Sequence, residues 1–142
     1  TAESCTGGLV GKLITDVPGA SSVYVGGVIS YTNEVKHRVL GVSRDTLAQY
    51  TAVSAETAGE MARGARRLLG ADIAVSVTGL AGPDGDGTGR PVGLVYIALD
   101  RAAGCLVQEL HLTGDRAAVR GAAAQAIFAL LLEALSNSEE CL

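Results

Sequence analysis

The chain has 142 residues, which is the size of one ordinary domain and enough to bury a hydrophobic core. Hydrophobic residues make up 48% and charged residues 18% of the chain, a balance that excludes a disordered protein. The net charge of −4 argues against a nucleic-acid groove, which needs a basic stripe.

Cysteine content and hydropathy predict the compartment. Three cysteines without a Cys-x-x-Cys spacing are too few for a disulfide framework and fit a reducing environment. The longest apolar run, 122–132, is too short to span a bilayer, and no signal-peptide pattern opens the chain. We therefore expect a cytoplasmic protein without a membrane or nucleic-acid partner.

The first third of the chain predicts a helix and then a strand. Residues 7–18 place Leu9, Val10 and Leu13 on one helical face, and a Pro-Gly pair ends the pattern. Residues 23–31 are rich in β-formers and predict a strand, although two adjacent glycines weaken it.

The remaining elements follow from caps and periodicity. The sequence predicts short helices over 33–40 and 43–50, a longer helix over 54–69, a buried strand over 72–78, a hairpin of strands over 92–99 and 105–112, a final helix from Thr113 or Asp115 to about 135, and a frayed tail over 136–142.

This order predicts an α/β fold, a three-layer α/β/α sandwich. Strands separated by helices favour right-handed crossovers and parallel pairing, and the hairpin adds one antiparallel strand. The sheet should therefore be mixed and mostly parallel. Ligands in such folds lie beyond the carboxyl ends of the strands. That rule selects three segments, 1–8, 31–36 and 78–91.

Ser4 lies in the first segment, in a glycine-flanked turn at a helix start. Backbone N–H groups of Thr6, Gly7 and Gly8 could hold an oxyanion or a phosphate there. The simpler interpretation is that Ser4 or Thr6 only caps the helix, and both readings stay open at this point.

Cys5 is a competing nucleophile, since a helix N-terminus activates a thiolate. A thiolate normally needs a histidine partner. His37 lies on a charged helix flank and His111 within a strand, and both are better explained as surface residues.

A serine nucleophile needs a base, and a neutral lysine can serve when its surroundings disfavour its charge. The chain has two lysines. Lys12 lies eight residues after Ser4 on the same helix, about 12 Å along its axis. Lys36 lies one turn past a strand end, where Tyr31 could relay a proton or orient it. A surface lysine paired with a glutamate is an equally good interpretation of Lys36.

The third segment is a long glycine-rich loop after a buried strand. Such a loop lets backbone approach a ligand closely, and we interpret Thr78, Gly79, Gly82 and Pro83 as a wall for a sugar or base. It matches neither a phosphate-binding lysine loop nor a dinucleotide fingerprint, and its aspartates lack the last ligand of a calcium loop. We expect no metal. A plain flexible connection is the alternative.

A fourth segment, Gly-Asp-Arg at 114–116, opens the last helix. Arg116 and Arg120 share one face there and would suit a phosphate, or else they are solvated or paired with Asp115.

Together the motifs resemble the CinA C-terminal family. The resemblance is carried by Thr-Ala-Glu-Ser-Cys-Thr-Gly-Gly at 1–8, Tyr-Thr-Asn-Glu-Val-Lys at 31–36, Gly-Leu-Ala-Gly-Pro-Asp-Gly at 79–85, Pro-Val-Gly at 91–93 and Gly-Asp-Arg at 114–116. It covers essentially the whole chain.

The resemblance implies a nicotinamide-nucleotide amidase, which hydrolyses nicotinamide mononucleotide to nicotinate mononucleotide and ammonia. The family's nucleophile would fall on Ser4, its base on Lys36 and its supporting tyrosine on Tyr31. The glycine-rich loop and the Gly-Asp-Arg segment would line the nucleotide site, and we place Asn33 among its contacts. A homo-oligomer without a cofactor is also implied.

Two further expectations follow. The chain should be a single domain over 1–142 that lacks the helix and strand preceding the first motif in family members. The alternative to catalysis is a nucleotide-binding regulatory module associated with competence or DNA damage, which keeps the pocket without turnover.

Overall fold

The computed structural model describes residues 1–139, and it places five helices around one five-stranded sheet. The elements in chain order are β1 (Ala2–Glu3), α1 (Leu9–Thr15), a short 3-10 helix (Ala20–Ser22), β2 (Val28–Ile29), α2 (Asn33–Leu40), α3 (Arg44–Tyr50), α4 (Ala55–Leu69), β3 (Ile73–Gly79), β4 (Leu94–Arg101), β5 (Gly104–His111) and α5 (Arg116–Glu139).

The sheet has the order β2-β1-β3-β4-β5. The strand β1 pairs in parallel with both β2 and β3, whereas β3–β4 and β4–β5 are antiparallel. Because the chain between β3 and β4 contains no helix, β4 returns directly beside β3 in the opposite direction. The predicted α/β class and mixed sheet are confirmed, with parallel pairing on one side and antiparallel pairing on the other.

Two helical layers cover the sheet. On one face α1 and α5 pack against alternate residues of β3 and β4, including Val77, Ile97 and Leu99. On the other face α2 and α4 pack over small residues such as Ala74 and Ala98. Small side chains on this second face let α4 approach the sheet closely, because they leave room for its backbone.

The described helices and strands refine the predicted boundaries. The predicted strand over 23–31 contracts to two paired residues, since the ladder with β1 covers only Ala2–Val28 and Glu3–Ile29. A strand at Ala2–Glu3 was not predicted, because two residues carry no periodicity. The last helix continues through Glu139, into the predicted frayed tail, whose residues 140–142 lie outside the described part.

One described helix, α5, is long and apolar enough over Arg116–Ser136 to cross a membrane by length and composition. Its Val119, Ile127 and Leu130 are buried against the sheet layer. A core helix of a globular domain passes the same test, so this length and composition are weak evidence for a membrane span.

Candidate active site

The carboxyl ends of β1, β2 and β3 meet at one edge of the sheet, where a cavity of about 240 Å³ opens. The strand β5 runs opposite to β4 and therefore in the same direction as β1, β2 and β3, so it ends at the same edge, where α5 begins. The cavity is lined by Ser4, Cys5, Tyr31, Lys36, Ala52, Val53, Thr78, Gly79, Leu80, Ala81, Gly82, Asp84, Gly85, Asp86 and Arg116. All three segments selected from the sequence therefore contribute to one cavity.

Ser4 follows β1 directly and is anchored to the middle of the sheet. Its backbone N–H donates to the carbonyl of Val77 at 3.0 Å, and its own carbonyl accepts from the Gly7 N–H at 3.0 Å. The residue is 8% exposed, with its hydroxyl on the cavity wall. A tight turn thus presents one hydroxyl to the cavity.

Lys36 meets Ser4 at this wall. Thr32 caps α2 by accepting from the Val35 N–H, and the first turn of that helix carries Lys36 inward, where it is 1% exposed. Its Nζ donates to Ser4 Oγ at 2.9 Å and to the Ser30 carbonyl at 2.7 Å, and lies 3.5 Å from the Tyr31 carbonyl.

Burial sets the charge state of Lys36. Removal from water lowers its pKa from 10.5 to about 8, and Cys5 would act in the opposite direction only once its thiol is ionised. The other lysine, Lys12, is exposed and pairs with Asp16 at 2.6 Å. A neutral amine is thus accessible near physiological pH at Lys36, in contact with a hydroxyl.

Cys5 is a poorer nucleophile than its position suggested. Burial raises the pKa of its thiol to about 11, although the positive charges of Lys36, Arg120 and Arg116 oppose that shift. Neither histidine lines the cavity: His37 Nδ1 contacts the Val42 carbonyl, and His111 pairs with Glu109. The thiol therefore stays protonated and has no histidine base.

Tyr31 and Arg116 form the rim of the cavity. Arg116 donates through Nη1 to the Gly82 carbonyl at 2.8 Å and through Nη2 to the Tyr31 hydroxyl at 3.3 Å. Tyr31 is 59% exposed, and only its backbone carbonyl approaches Lys36. Its hydroxyl is thus bound to Arg116, and Ser4 and Lys36 touch without a relay.

Several residues predicted to bind substrate lie away from the cavity. Thr6 is fully buried and donates its hydroxyl to Glu3, and the Gly7 N–H is used by the Ser4 carbonyl. Arg120 donates to carbonyls of the turn and does not line the cavity. Gly8 and Pro83 also fall outside the lining, and Asn33 lines a separate groove between α2 and α3.

The opposite wall contains residues that the sequence did not single out. Thr78 donates its hydroxyl to the Ala52 carbonyl at 2.7 Å and so fixes the loop between α3 and α4, which adds Val53 to the lining. Thr51 opens this loop at φ +69°, a conformation that a β-branched residue rarely adopts. No periodicity or motif marks such a loop, so only the fold could bring it to the cavity.

Metal chemistry has no support from the described side chains. Within residues that the structure describes, no group of three or more His, Cys, Asp or Glu side chains could hold a metal ion.

Comparison with known proteins identifies the family. The model of the CinA C-terminal domain matches residues 1–135. The chain belongs to the CinA C-terminal domain family. A putative competence-damage inducible protein of Acetivibrio thermocellus is 53% identical over 120 residues, which are 84% of this chain and 29% of that protein. A CinA-like protein of Syntrophomonas wolfei is 50% identical over 136 residues, covering 96% and 33%.

Solved structures agree with the fold of this CinA domain. A CinA superfamily protein from Klebsiella pneumoniae superposes with a TM-score of 0.93 at 38% identity, covering 96% of this chain and 85% of that one. The competence/damage inducible protein CihA of Agrobacterium tumefaciens gives 0.83 at 42% identity, covering 91% and 82%. By contrast, the chain spans about a third of the length of the curated relatives it matches.

Proposed function

We propose that this CinA domain hydrolyses the carboxamide of nicotinamide mononucleotide to nicotinate mononucleotide and ammonia. The observation that carries the proposal is the 2.9 Å contact between the Nζ of a fully buried lysine and the hydroxyl of Ser4. A serine beside a neutral amine is the arrangement of a nucleophile with its general base.

In the acylation step, neutral Lys36 accepts the proton of Ser4 as its Oγ attacks the carboxamide carbon. The positive charges of protonated Lys36 and of Arg116 at the cavity rim would favour the new oxyanion. Protonated Lys36 then gives its proton to the departing nitrogen, and ammonia leaves an acyl-serine.

In the deacylation step, the again neutral Lys36 takes a proton from water, which attacks the acyl carbon. Collapse of the second tetrahedral intermediate returns the proton to Ser4 Oγ and releases nicotinate mononucleotide. Each half-reaction thus uses Lys36 once as base and once as acid.

The rest of the cavity would hold the nucleotide. Arg116 at the rim is a suitable partner for the phosphate, and Tyr31 beside it would orient both the guanidinium and, through its carbonyl, Lys36. Ala52, Val53 and Leu80 offer an apolar wall for the ring. We include Gly79 and Gly82 as the backbone side of this wall.

We propose that the reaction takes place in the cytoplasm. Cys5 and Cys105 are free thiols, which fits a cytoplasmic enzyme. Catalysis by Ser4 and Lys36 needs no cofactor, and we propose a homo-oligomer as the active form.

The test is a comparison of carboxamides with the purified protein, with ammonia and nicotinate mononucleotide measured together. We expect equal amounts of both products from nicotinamide mononucleotide, and at least about tenfold slower release from free nicotinamide, which lacks the phosphate that Arg116 would bind. Calorimetric binding of the nucleotide without ammonia release would instead support a regulatory nucleotide-binding module.

A further inference from the structure

The turn that presents Ser4 is held by a buried carboxylate from the preceding residue. Glu3 is 2% exposed, and its Oε1 accepts from the Thr6 hydroxyl at 2.7 Å and the Val10 N–H at 2.8 Å. Its Oε2 accepts from the Gly11 N–H at 3.0 Å. These bonds cap α1, whose preceding residue, Gly8, has no side chain to do so.

An arginine of α5 also holds this turn. Arg120 donates through Nε to the Cys5 carbonyl at 3.1 Å and through Nη2 to the Thr6 carbonyl at 2.9 Å. A planar guanidinium that spans two successive carbonyls fixes their relative orientation, which an ammonium group cannot do.

These contacts occupy the backbone N–H groups at the start of α1. The first amides of α1 are taken up by the chain itself, since the Leu9 N–H donates to the Thr6 carbonyl and the next two donate to Glu3. These N–H groups therefore hydrogen-bond within the turn and not to a ligand. The guanidinium of Arg120 is likewise bonded to the turn.

We propose that Glu3 and Arg120 are positioning residues that clamp the Ser4 turn from two sides and so keep the Ser4 hydroxyl on Lys36, and that Arg120 makes no contact with substrate. This inference rests on the proposed function. It assigns the two arginines of α5 different tasks: Arg116 acts at the cavity rim and Arg120 acts through the nucleophile turn.

The experiment compares Arg120→Ala, Arg120→Lys and Arg101→Ala in steady-state hydrolysis of nicotinamide mononucleotide. Arg101 is the matched control, because its Nη1 also holds a carbonyl, that of Ala134, about 21 Å further along α5. A misplaced nucleophile lowers kcat, so we expect Arg120→Ala to lose about 10²-fold in kcat with KM within about threefold. Arg120→Lys should recover part of the loss, and Arg101→Ala should keep the wild-type kcat.

Three outcomes would overturn the inference. A raised KM with unchanged kcat in Arg120→Ala would make Arg120 a substrate contact. An unchanged kcat and KM would make the clamp irrelevant. An equal loss of kcat in Arg101→Ala would mean that the effect comes from a general loosening of α5 and not from the Ser4 turn.

A second readout separates the clamp from the proposed reaction. The chain has two lysines, so the carbon NMR titration of Lys36 can be followed with Lys12 as an exposed reference. Arg120→Lys keeps the positive charge, and a rise in the pKa of Lys36 toward 10.5 in this variant reports that water reaches the amine when the turn loosens, because burial is what lowers this pKa. If the wild type releases no ammonia, the proposed function fails, while an unmoved Lys36 titration refutes the clamp independently.

Glu3→Gln tests the other half of the clamp with an uncharged side chain of the same shape. Its amide nitrogen cannot accept from the Gly11 N–H, so kcat should fall and the Lys36 pKa should rise, with KM little changed. Wild-type kcat and titration in a folded Glu3→Gln protein would remove Glu3 from the proposal.

Discussion

At the residue scale, burial of the Lys36 amine costs stability. Within the described part of the chain no acidic side chain forms an ion pair with it, and its amine is satisfied by Ser4 and two carbonyls instead. Lowering its pKa from 10.5 to about 8 corresponds to about 3 kcal/mol of destabilisation while the unfolded chain holds the proton. A merely structural position would be better filled by an apolar residue.

Lys36→Met should therefore stabilise the protein and abolish activity. Below about pH 8 both states of the wild type are protonated and the full penalty applies. Between about 8 and 10.5 the native state loses its proton first, the unfolded chain binds more protons, and stability rises with pH. We expect Lys36→Met to gain about 1–3 kcal/mol at pH 7, since lost hydrogen bonds offset part of the gain, and the gain to shrink toward pH 10.

Urea unfolding at pH 7 and at pH 9.5 measures this difference. Lys12→Met is the matched control, because it removes an exposed lysine whose ion pair is worth less than about 1 kcal/mol. A Lys36→Met protein that is less stable than the wild type at pH 7, or that shows the same dependence on pH, contradicts the buried-amine account.

The sequence predicted Ser4 and Lys36 as candidate catalytic residues, but it did not predict the contacts of the residues around them. Elimination of the histidines and of Lys12 left Lys36, and the fold puts its Nζ on Ser4. Arg120 has the same side chain as Arg116 and lies one turn away, yet it reaches the turn instead of the cavity rim. Which way each guanidinium extends depends on packing between α5 and the Ser4 turn, which leaves no pattern in the sequence.

At the element scale, the close crossing of α2 and α4 sets the position of Lys36. Gly64 in α4 packs against the backbone of Leu40 at the end of α2, and a Cβ added at Gly64 would overlap the Leu40 carbonyl. The close approach of α2, which carries Lys36, to α4 therefore requires a glycine at position 64.

Gly64→Ala and Gly121→Ala should have opposite effects on stability. The first places a methyl group in the α2–α4 contact and should cost about 1–3 kcal/mol, with a fall in kcat as α2 shifts. Gly121 in α5 has open space at its Cβ position, so the same change there should add about 0.5–1 kcal/mol. Thermal and urea unfolding of the two variants measures the sign of each change in the free energy of unfolding. Stabilisation by Gly64→Ala would mean that this contact does not constrain α2.

Helices were more predictable than strands for a physical reason. The boundaries of α3 and α4 follow caps at Ser43 and Ser54, each of which accepts a backbone N–H. The strands β1 and β2 have two residues each, too few for any period, and they are defined by pairing: β1 pairs with β3, and β2 pairs with β1. The loop between β3 and β4 contains no helix, and β4 accordingly returns antiparallel to β3.

At the scale of the whole molecule, the site lies at one edge of the sheet, and α5 contacts two parts of it. Three parallel strands end at one edge, and α5 contacts both the nucleophile turn through Arg120 and the cavity rim through Arg116. The CinA C-terminal domain model matches residues 1–135, while the relatives are about three times longer. The cavity is formed within the chain, so we expect hydrolysis to be measurable with this domain.

The most direct measurement is ammonia release from nicotinamide mononucleotide by the wild type, Ser4→Ala and Cys5→Ala. The two substitutions each remove one heavy atom from adjacent buried residues of the same turn, so they control for each other's effect on folding. The account predicts a loss of at least about 10³-fold in Ser4→Ala and most of the wild-type rate in Cys5→Ala. Near-wild-type release by Ser4→Ala, or loss in Cys5→Ala alone, would contradict the assignment of Ser4 as the nucleophile.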